Sequence, residues 1–577
     1  MTLQLRAEHL PGDLFGLSPV ARAGLAAGAD FGPLPVVTKA SEVPLPEERL
    51  GAEERGILAD LLGAGYAEAG IELSAGSGTA GSLAALREEG VFTVVTGQQP
   101  GFLSSPLYSL YKALQACRAA KDLSKQWDRP VVPIFWNHAD DHDVAEVHHA
   151  WQLNRNLDLQ KVHLGGLSSG RVPLGSLPVT EEAQRLGALR ALLHDIVEEH
   201  EHANLAIDTF LPKDGETLPR ALTRAFHGLM EDYGLVVCEP QWIRGLLSSE
   251  MGRLVSASGP PLTEALRAGE AELAALPLPV AIPVGEASDE TSGGAPNGDT
   301  GDAAAMVYRH VRAAENTLPE RIALRAGGEG FRHDGMPGSR THAELGSQIV
   351  SAPDEWSAGA LVRPLVQDAV FPTCAYVGGY GELGYHAQLG PARDACGQPR
   401  TPFLPRVSIS LVDGDTRYAL KRVGSTVEEI LRLKGQFKAP EIDLDEEPPV
   451  VQNLRKLTGE ITAQMLEHKG ALAALEPALG ITLKKTAGHV EHSIGKVIGK
   501  AMRVHKNNTG KGVRQVRRVN SMLFPRDVPQ ERLLGPFQFI ARFGPDFTPA
   551  LMGEIPFAST EHIVLHLPSS LDEPEHK

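Results

Sequence analysis

Three short polar segments carry side chains that could do chemistry. The first, Thr96-Gly97-Gln98-Gln99-Pro100-Gly101, sets two carboxamides on a glycine-flanked backbone. A carboxamide both donates and accepts hydrogen bonds, and glycine lets a ligand approach the main chain. The second packs Asp140, Asp141, His142 and Asp143 together, with His138 before them and His148 and His149 after. Carboxylate beside imidazole suits general acid–base work, because each tunes the other's proton affinity. One aspartate could simply cap a helix; four titratable residues in a row exceed what a cap needs. The cluster could also ligate a divalent metal, although no established ligand spacing is present. The third segment, Gly378-Gly379-Tyr380-Gly381-Glu382, could hold a substrate through its amides and the Glu382 carboxylate. Upstream, Arg363 is a candidate for a bidentate contact to an anion, with Gln367 beside it. A turn, a cap or a plain ion pair would explain any one of these. Their convergence is what would make a site.

The elements around them predict that convergence. Val91–Val95 (VFTVV) reads as a buried strand and stops at the first segment. A helical stripe follows from Pro106, with Leu107, Leu110, Tyr111, Leu114 and Cys117 on one side. Val131–Trp136 (VVPIFW) is a second strand and runs into the Asp/His segment. Strand, helix and strand make a βαβ unit, hence a parallel sheet with a right-handed crossover. Ligands bind beyond the carboxyl ends of such strands. Leu235–Cys238 reads as another buried strand, and Phe371–Val377 as the one that delivers the third segment. The expected fold is therefore α/β: a Rossmann-like doubly wound parallel sheet with insertions, joined to an α-helical coiled-coil arm.

The expected boundaries are 1–90 for a helical N-terminal segment, including an amphipathic helix over Glu53–Gly70, and 91–424 for the core. An insertion at about 150–350 interrupts that core and contains the polar, non-periodic run Gly285–Asp302. The arm spans 425–523, opening on a capping box at Ser425 and Glu428. Leu454, Leu457, Ile461, Met465, Leu472 and Leu475 recur at three- and four-residue steps, and Val490, Ile494, Val497, Ala501 and Val504 resume the period beyond Pro477. Residues 524–577 are expected to return to the core.

The 577 residues carry a net charge of -17, which disfavours a general nucleic-acid or anionic-membrane binder. Four cysteines (Cys117, Cys238, Cys374, Cys396) offer neither a disulfide framework nor a zinc pattern. No apolar run is long enough to cross a bilayer, and the first residues lack a signal-peptide pattern, so a soluble cytoplasmic protein is expected. Against that acidity, Ile481–Asn520 holds ten Lys/Arg and one acid, Glu491. Lys496, Lys500 and Arg503 are candidates there for nucleotide phosphates, and the patch could equally face a second subunit.

The run Val94–Gly101 followed by Pro106-Leu107-Tyr108 and Lys112, then Pro133–Trp136 with Asp141-His142-Asp143, resembles the bacillithiol-biosynthesis cysteine-adding enzymes (BshC, cysteine ligases). The likeness continues at Arg363-Pro364-Leu365 with Gln367-Asp368, at Val377-Gly378-Gly379 with Gly381-Glu382, at Pro405-Arg406, and at Phe524-Pro525 with Gln530-Glu531-Arg532. Asp140 and Tyr380 depart from the family pattern, where Glu and Pro are expected, and the HIGH and KMSKS motifs of class I synthetases have no good match. The resemblance implies a class I synthetase-like fold, a homodimer through the coiled-coil arm, and the last step of bacillithiol synthesis: joining L-cysteine to the amine of glucosaminyl malate. ATP or ADP with Mg2+ is the implied cosubstrate, and no tightly bound metal is expected. In this reading Asp141, His142 and Asp143 are catalytic, while Thr96, Gly97, Gln98, Gln99, Arg363, Gln367, Gly379, Tyr380 and Glu382 bind substrate. Two competing expectations are a metal-dependent hydrolase or transferase using the Asp/His cluster, and a non-catalytic dimeric scaffold.

Overall fold

The computed structural model describes residues 3–154, 158–167, 170–256, 262–284, 305–314, 317–327, 330–333, 339–438 and 447–568. The run Gly285–Asp302 and residues 441–446 lie outside them, as does the side chain of Arg503.

Five parallel strands form the central sheet, in the spatial order Phe403–Pro405, Thr373–Gly378, Phe92–Gln98, Val131–Asn137, Val236–Cys238. The chain starts in the middle, steps outward twice, then returns to the other side of the first strand. That is the doubly wound order, and its switch point lies between Phe92–Gln98 and Thr373–Gly378. Both faces of the sheet are covered, which explains why the strands read as continuous apolar runs rather than alternating ones. Phe92 and Val94 join Ala116, Ala120 and Leu123 of the helix Leu107–Trp127 in one cluster. Val95, Ile134, Trp136 and Tyr376 belong to a second, larger one. Register is tight along the first pair, where Phe92 through Gln98 face Val131 through Asn137 without a bulge.

The strand Val236–Cys238 sits at the sheet's edge, so residues 150–350 are not one uninterrupted excursion. They hold a hairpin of His149–Leu153 and Leu159–His163 and most of an antiparallel sheet. That sheet runs Ser339–Arg340, Gly330–His333, Glu320–Gly327, Ala305–Val311, Trp356–Ala358. The N-terminal segment is helical over Pro19–Ala27, Ala52–Glu68 and Gly78–Ala85, but it opens with an unexpected strand, Arg6–Leu10. That strand is largely exposed and pairs with His562–His566 at the far end of the chain. Its order comes from partners more than five hundred residues away, which no local pattern encodes.

The described residues form two compact units, one from residues up to 412 together with those from 528 onward, the other from 413–527. The first unit thus contains the returning C-terminal segment. In the second, Pro449–Glu467 and Lys469–Leu475 precede a 47-residue helix, Pro477–Leu523. At about 1.5 Å per residue that helix is about 70 Å long. The helix Val427–Arg432 is capped by Thr426, whose hydroxyl accepts from the Glu429 amide at 3.1 Å. Ser425, the expected cap, instead donates to the Glu429 carboxylate at 2.7 Å. No helix among the described residues is long and apolar enough to cross a membrane.

Candidate active site

The three polar segments meet at the carboxyl edge of the parallel sheet, at its switch point. Each leaves its strand where the ladder ends: Gln98 pairs with Asn137 at the last rung of the first two strands, and Gly378 pairs with Pro405 on the other side. Thr96 ties the switch point together, its buried hydroxyl donating to the Val377 carbonyl at 2.8 Å.

Lys112 clamps the first and third segments. Its ammonium, 1% exposed, donates to the carbonyl of Gly97 and to both Glu382 oxygens at 3.0 and 2.8 Å. Glu382 also accepts from Tyr376 Oη at 2.8 Å and from the Gly379 amide at 2.8 Å. Burial opposes the Glu382 charge, yet Lys112 and these donors hold the carboxyl below its ordinary range. All four contacts are internal, so Glu382 works as a clamp, and its carboxylate already occupies the helix N-terminus at Gly379. Tyr380 is half-buried beside it, its phenol pushed up by burial.

The Asp/His segment divides its labour. Asp141 Oδ2 accepts from Gln99 Nε2 at 2.6 Å, which joins the first and second segments. Its Oδ1 accepts from the backbone amides of His142 (2.7 Å) and Asp143 (3.2 Å). Asp143 is exposed and caps the short helix Val144–Val147. Neither acid therefore bonds the His142 ring, the support expected from the sequence. Instead, Arg321 Nη1 lies 3.4 Å from His142 Nδ1. A guanidinium can only donate, so this contact favours the neutral tautomer with the proton on Nε2. Burial and Arg321 both lower the His142 proton affinity, against the pull of Asp141.

These groups border a cavity of about 300 Å³ lined by Trp136, His138, Asp140, Asp141, His142, Arg244, Tyr308, Arg321, Trp356, Arg363 and Tyr385, among others. The three cavity arginines differ. Arg244 pairs with Asp140 through both guanidinium ends, one at 2.9 Å. Burial resists the Asp140 charge, but Arg244 outweighs it and holds the carboxyl at about 2. Arg363 hydrogen-bonds neutral groups, Gln367 Oε1 at 2.9 Å, Tyr385 Oη at 3.0 Å and the Tyr376 side chain, and feels the Glu382 carboxylate at longer range. Arg321 stacks 3.7 Å from the Tyr308 ring centroid and donates to Ser357 Oγ and the Ala358 carbonyl. Among the described residues neither Arg321 nor Arg363 pairs with a carboxylate. Such cations, held by neutral partners in a partly buried cleft, suit an anionic ligand.

His138 stands half-buried between Arg363 and Asp141. Its ring has no hydrogen bond among the described residues, and burial, then Arg363, depress it to about 3. It is a neutral imidazole at neutral pH.

Of the residues expected from sequence, Asp141, His142 and Arg363 line the cavity. Thr96, Gly97, Gln98, Gln99, Gln367, Gly379, Tyr380 and Glu382 stand behind it, holding the segments and Arg363 in place. Lys496 and Lys500 are exposed on the long helix of the other compact unit. Sequence reasoning missed Arg244, Tyr308 and Arg321 as site members; Lys112 entered only through the resemblance, and His138 was noted beside the cluster without a role. A role for His138 was within reach. Arg321 was not, because an antiparallel strand carries it from a remote part of the chain.

A neighbouring cavity of about 440 Å³ is lined by Arg244, Arg309 and Arg312, but also by Asp140, Asp354 and Glu355. Arg309 is already paired with Glu355 at 2.8 Å. Its charges balance, so it is not a ready-made phosphate cradle. As for metals, the described residues hold one group with ligand atoms mutually within 4.8 Å, the exposed His194, Asp195 and Glu198. The Asp140–Asp143 cluster is not such a group.

The fold and site define a doubly wound core whose switch point holds a cleft lined by arginines and two imidazoles. Residues 42–284 and 310–407 match the N-terminal Rossmann-like domain of bacillithiol biosynthesis BshC, and residues 409–567 match the C-terminal coiled-coil domain of the same family. The chain belongs to the bacillithiol-biosynthesis BshC family. A relative from Solibacter usitatus is 28% identical over 488 residues, covering 84% of this chain and 86% of its own. One from Carboxydothermus hydrogenoformans is 27% identical over 497 residues (83% and 85%), and one from Salinibacter ruber 26% over 486 residues (80% of each). All three bear the name "Putative cysteine ligase BshC".

Proposed function

We propose that the protein is a cysteine ligase that forms an amide between the carboxyl of L-cysteine and the amine of glucosaminyl malate, the last step of bacillithiol synthesis. The observation that carries this reading is the pair of cavity arginines without carboxylate partners, Arg321 and Arg363, beside two imidazoles. The malyl group brings two carboxylates, and two such guanidinium groups are the natural complement.

The amine attacks only after losing a proton. His138 and His142 are the cavity's candidate acceptors, and both are depressed toward the neutral form. Of the two, His142 is the stronger base, because burial and Arg363 hold His138 at about 3, too low to take a proton from an amine near neutral pH. Asp141 then positions: it holds the His142 backbone and Gln99 rather than relaying charge. Amide formation from a free carboxylate is uphill in water, so the reading couples it to ATP with Mg2+: cleavage of a phosphoanhydride would transfer a phosphoryl or adenylyl group to the cysteine carboxylate, and phosphate or AMP would leave as the amine attacks. For the nucleotide we retain Lys496, Lys500 and Arg503, which recur at i, i+4 and i+7 and so share one helix face.

Homodimerisation through the arm is part of the same reading. Leu475, Ile481 and Val497 are 79%, 61% and 58% exposed there, more apolar surface than a solvated helix pair needs. A second copy of the arm would cover it.

The test is direct. Pure protein is incubated with cysteine, glucosaminyl malate, ATP and magnesium, and the amide product is sought by mass spectrometry, with ATP omitted in parallel. Product that requires ATP supports the ligase. Product without ATP removes the nucleotide from the proposal, and folded protein that yields no product under either condition counts against the ligase as a self-sufficient enzyme.

A further inference from the structure

We propose that His148, His149 and His163 form a binding site for one divalent transition-metal ion of the zinc class, with a fourth coordination position open to solvent. The proposal stands on geometry independent of the ligase reaction.

The hairpin assembles the three rings. His149 and His163 are direct cross-strand partners in its register, so their side chains share one face of the ribbon. His148 immediately precedes the strand, anchored where the Leu164 amide donates to its carbonyl at 2.7 Å. The ring centroids are 5.2 Å (His148–His149), 5.3 Å (His148–His163) and 5.9 Å (His149–His163) apart. With metal–nitrogen bonds of about 2.0 Å in a tetrahedral shell, imidazole centroids sit about 5 Å apart and neighbouring donor atoms about 3.3 Å apart. His148 Nε2 and His163 Nδ1 are 3.4 Å apart.

The tautomers also fit. His148 Nδ1 lies 2.8 Å from the Val144 carbonyl, which fixes the proton on Nδ1 and turns the Nε2 lone pair toward His163. A ligating histidine is usually oriented in this way by its second nitrogen. The third donor is His149 Nδ1, which makes no close hydrogen bond, although the ring lies within reach of the Ala145 backbone. A rotation of that ring completes the set, since the three nitrogens do not yet converge as closely as those of His194, Asp195 and Glu198.

Charge sets the ligand type. Lys161, whose ammonium lies 5.8 Å over the Trp151 ring, is the nearest counter-argument, as it repels a cation. Three neutral nitrogens and no carboxylate favour zinc, cobalt or nickel over magnesium or calcium. His163 is exposed, which leaves an approach for the ion.

The experiment uses the whole protein, stripped with chelator and titrated with Co2+ alone, then with Zn2+ as competitor. We expect one equivalent of cobalt with visible d–d bands of a low-coordinate site, displaced by one equivalent of zinc. His163→Ala and His149→Ala should each weaken binding by at least about 100-fold, while Asp195→Ala/Glu198→Ala leaves it unchanged. His163→Ala is the deciding variant, because an exposed side chain can be removed without loss of the fold, checked by far-UV circular dichroism. Absence of the bands in the wild type, undiminished binding in folded His163→Ala, or loss of binding in the acid variant would each overturn the site.

Discussion

The switch-point cleft and the helical arm both depend on cations, and they use them in opposite ways. In the core, Lys112 is buried against Glu382, Arg244 against Asp140, and Arg406 against Glu531 at 2.7 Å. On the arm, Lys484, Lys485, Lys496 and Lys500 are exposed. A buried charge must be met atom by atom, because removing its partner leaves an uncompensated ion in a low-dielectric site. An exposed charge contributes to a field that salt screens within about 10 Å. The same residue type is thus a fixed structural part in one region and an adjustable surface property in the other. Arg321 and Arg363 fall between: the first is buried and the second half-buried, neither makes a close ion pair among the described residues, and each feels a carboxylate only at longer range, which leaves their donors open to a ligand.

The comparison can be broken most sharply at Lys112. Lys112→Met should destabilise the protein by about 3–5 kcal/mol, measured by urea unfolding, and Lys112→Met/Glu382→Gln should recover much of that loss. A small effect of the single change would mean that the clamp is not a buried pair. Next in size is the proton acceptor. His142→Gln should lower kcat by about 100-fold or more with little change in KM, and by more than His138→Gln; the reverse ranking would move the role to His138. Removing Arg363 should act on binding instead. Arg363→Ala is expected to raise KM for the malyl substrate by about 30-fold, equivalent to about 2 kcal/mol for a charged hydrogen-bonded contact, without raising KM for cysteine.

Acid gives a further test. Asp140 is depressed to about 2, below an unfolded value of about 3.9. Its ion pair therefore stabilises the fold above about pH 4, and that contribution of about 2 kcal/mol is lost as pH falls through 2. Asp140→Asn should flatten the stability profile in that window and nowhere else. The smallest expected effect lies on the arm. Lys496→Ala/Lys500→Ala should leave the melting temperature within about 1–2 °C and raise KM for ATP several-fold at low salt, a difference that shrinks as salt is added. A large loss of stability would show that the arm's charges are structural after all.

Much of this architecture was legible before any coordinates. VFTVV and VVPIFW are strands because β-branched and aromatic residues fill a sheet buried on both faces, and both extend into their polar segments, to Gln98 and Asn137. The long helices of the arm follow from their apolar period. The site was legible only in part. Asp141, His142 and Arg363 were found from residue type and position at a strand end, whereas Arg321 and Tyr308 reach the cleft on an antiparallel sheet far from the Asp/His segment in the chain, Arg321 179 residues beyond His142. Glu382 was noticed as a polar group, but sequence could not tell that all its contacts are internal.

The sequence by itself determined the class of fold, the three segments at one sheet edge and the helical arm, because these rest on local periodicity and on the short connections of a βαβ unit. Tertiary structure alone decided which charges are spent on one another and which remain for a ligand. It also decided that His149 meets His163 across a hairpin, and that Arg6–Leu10 is a strand. Each of these depends on a partner distant in the chain, and pairing energy between distant groups leaves no trace in the local pattern of either one.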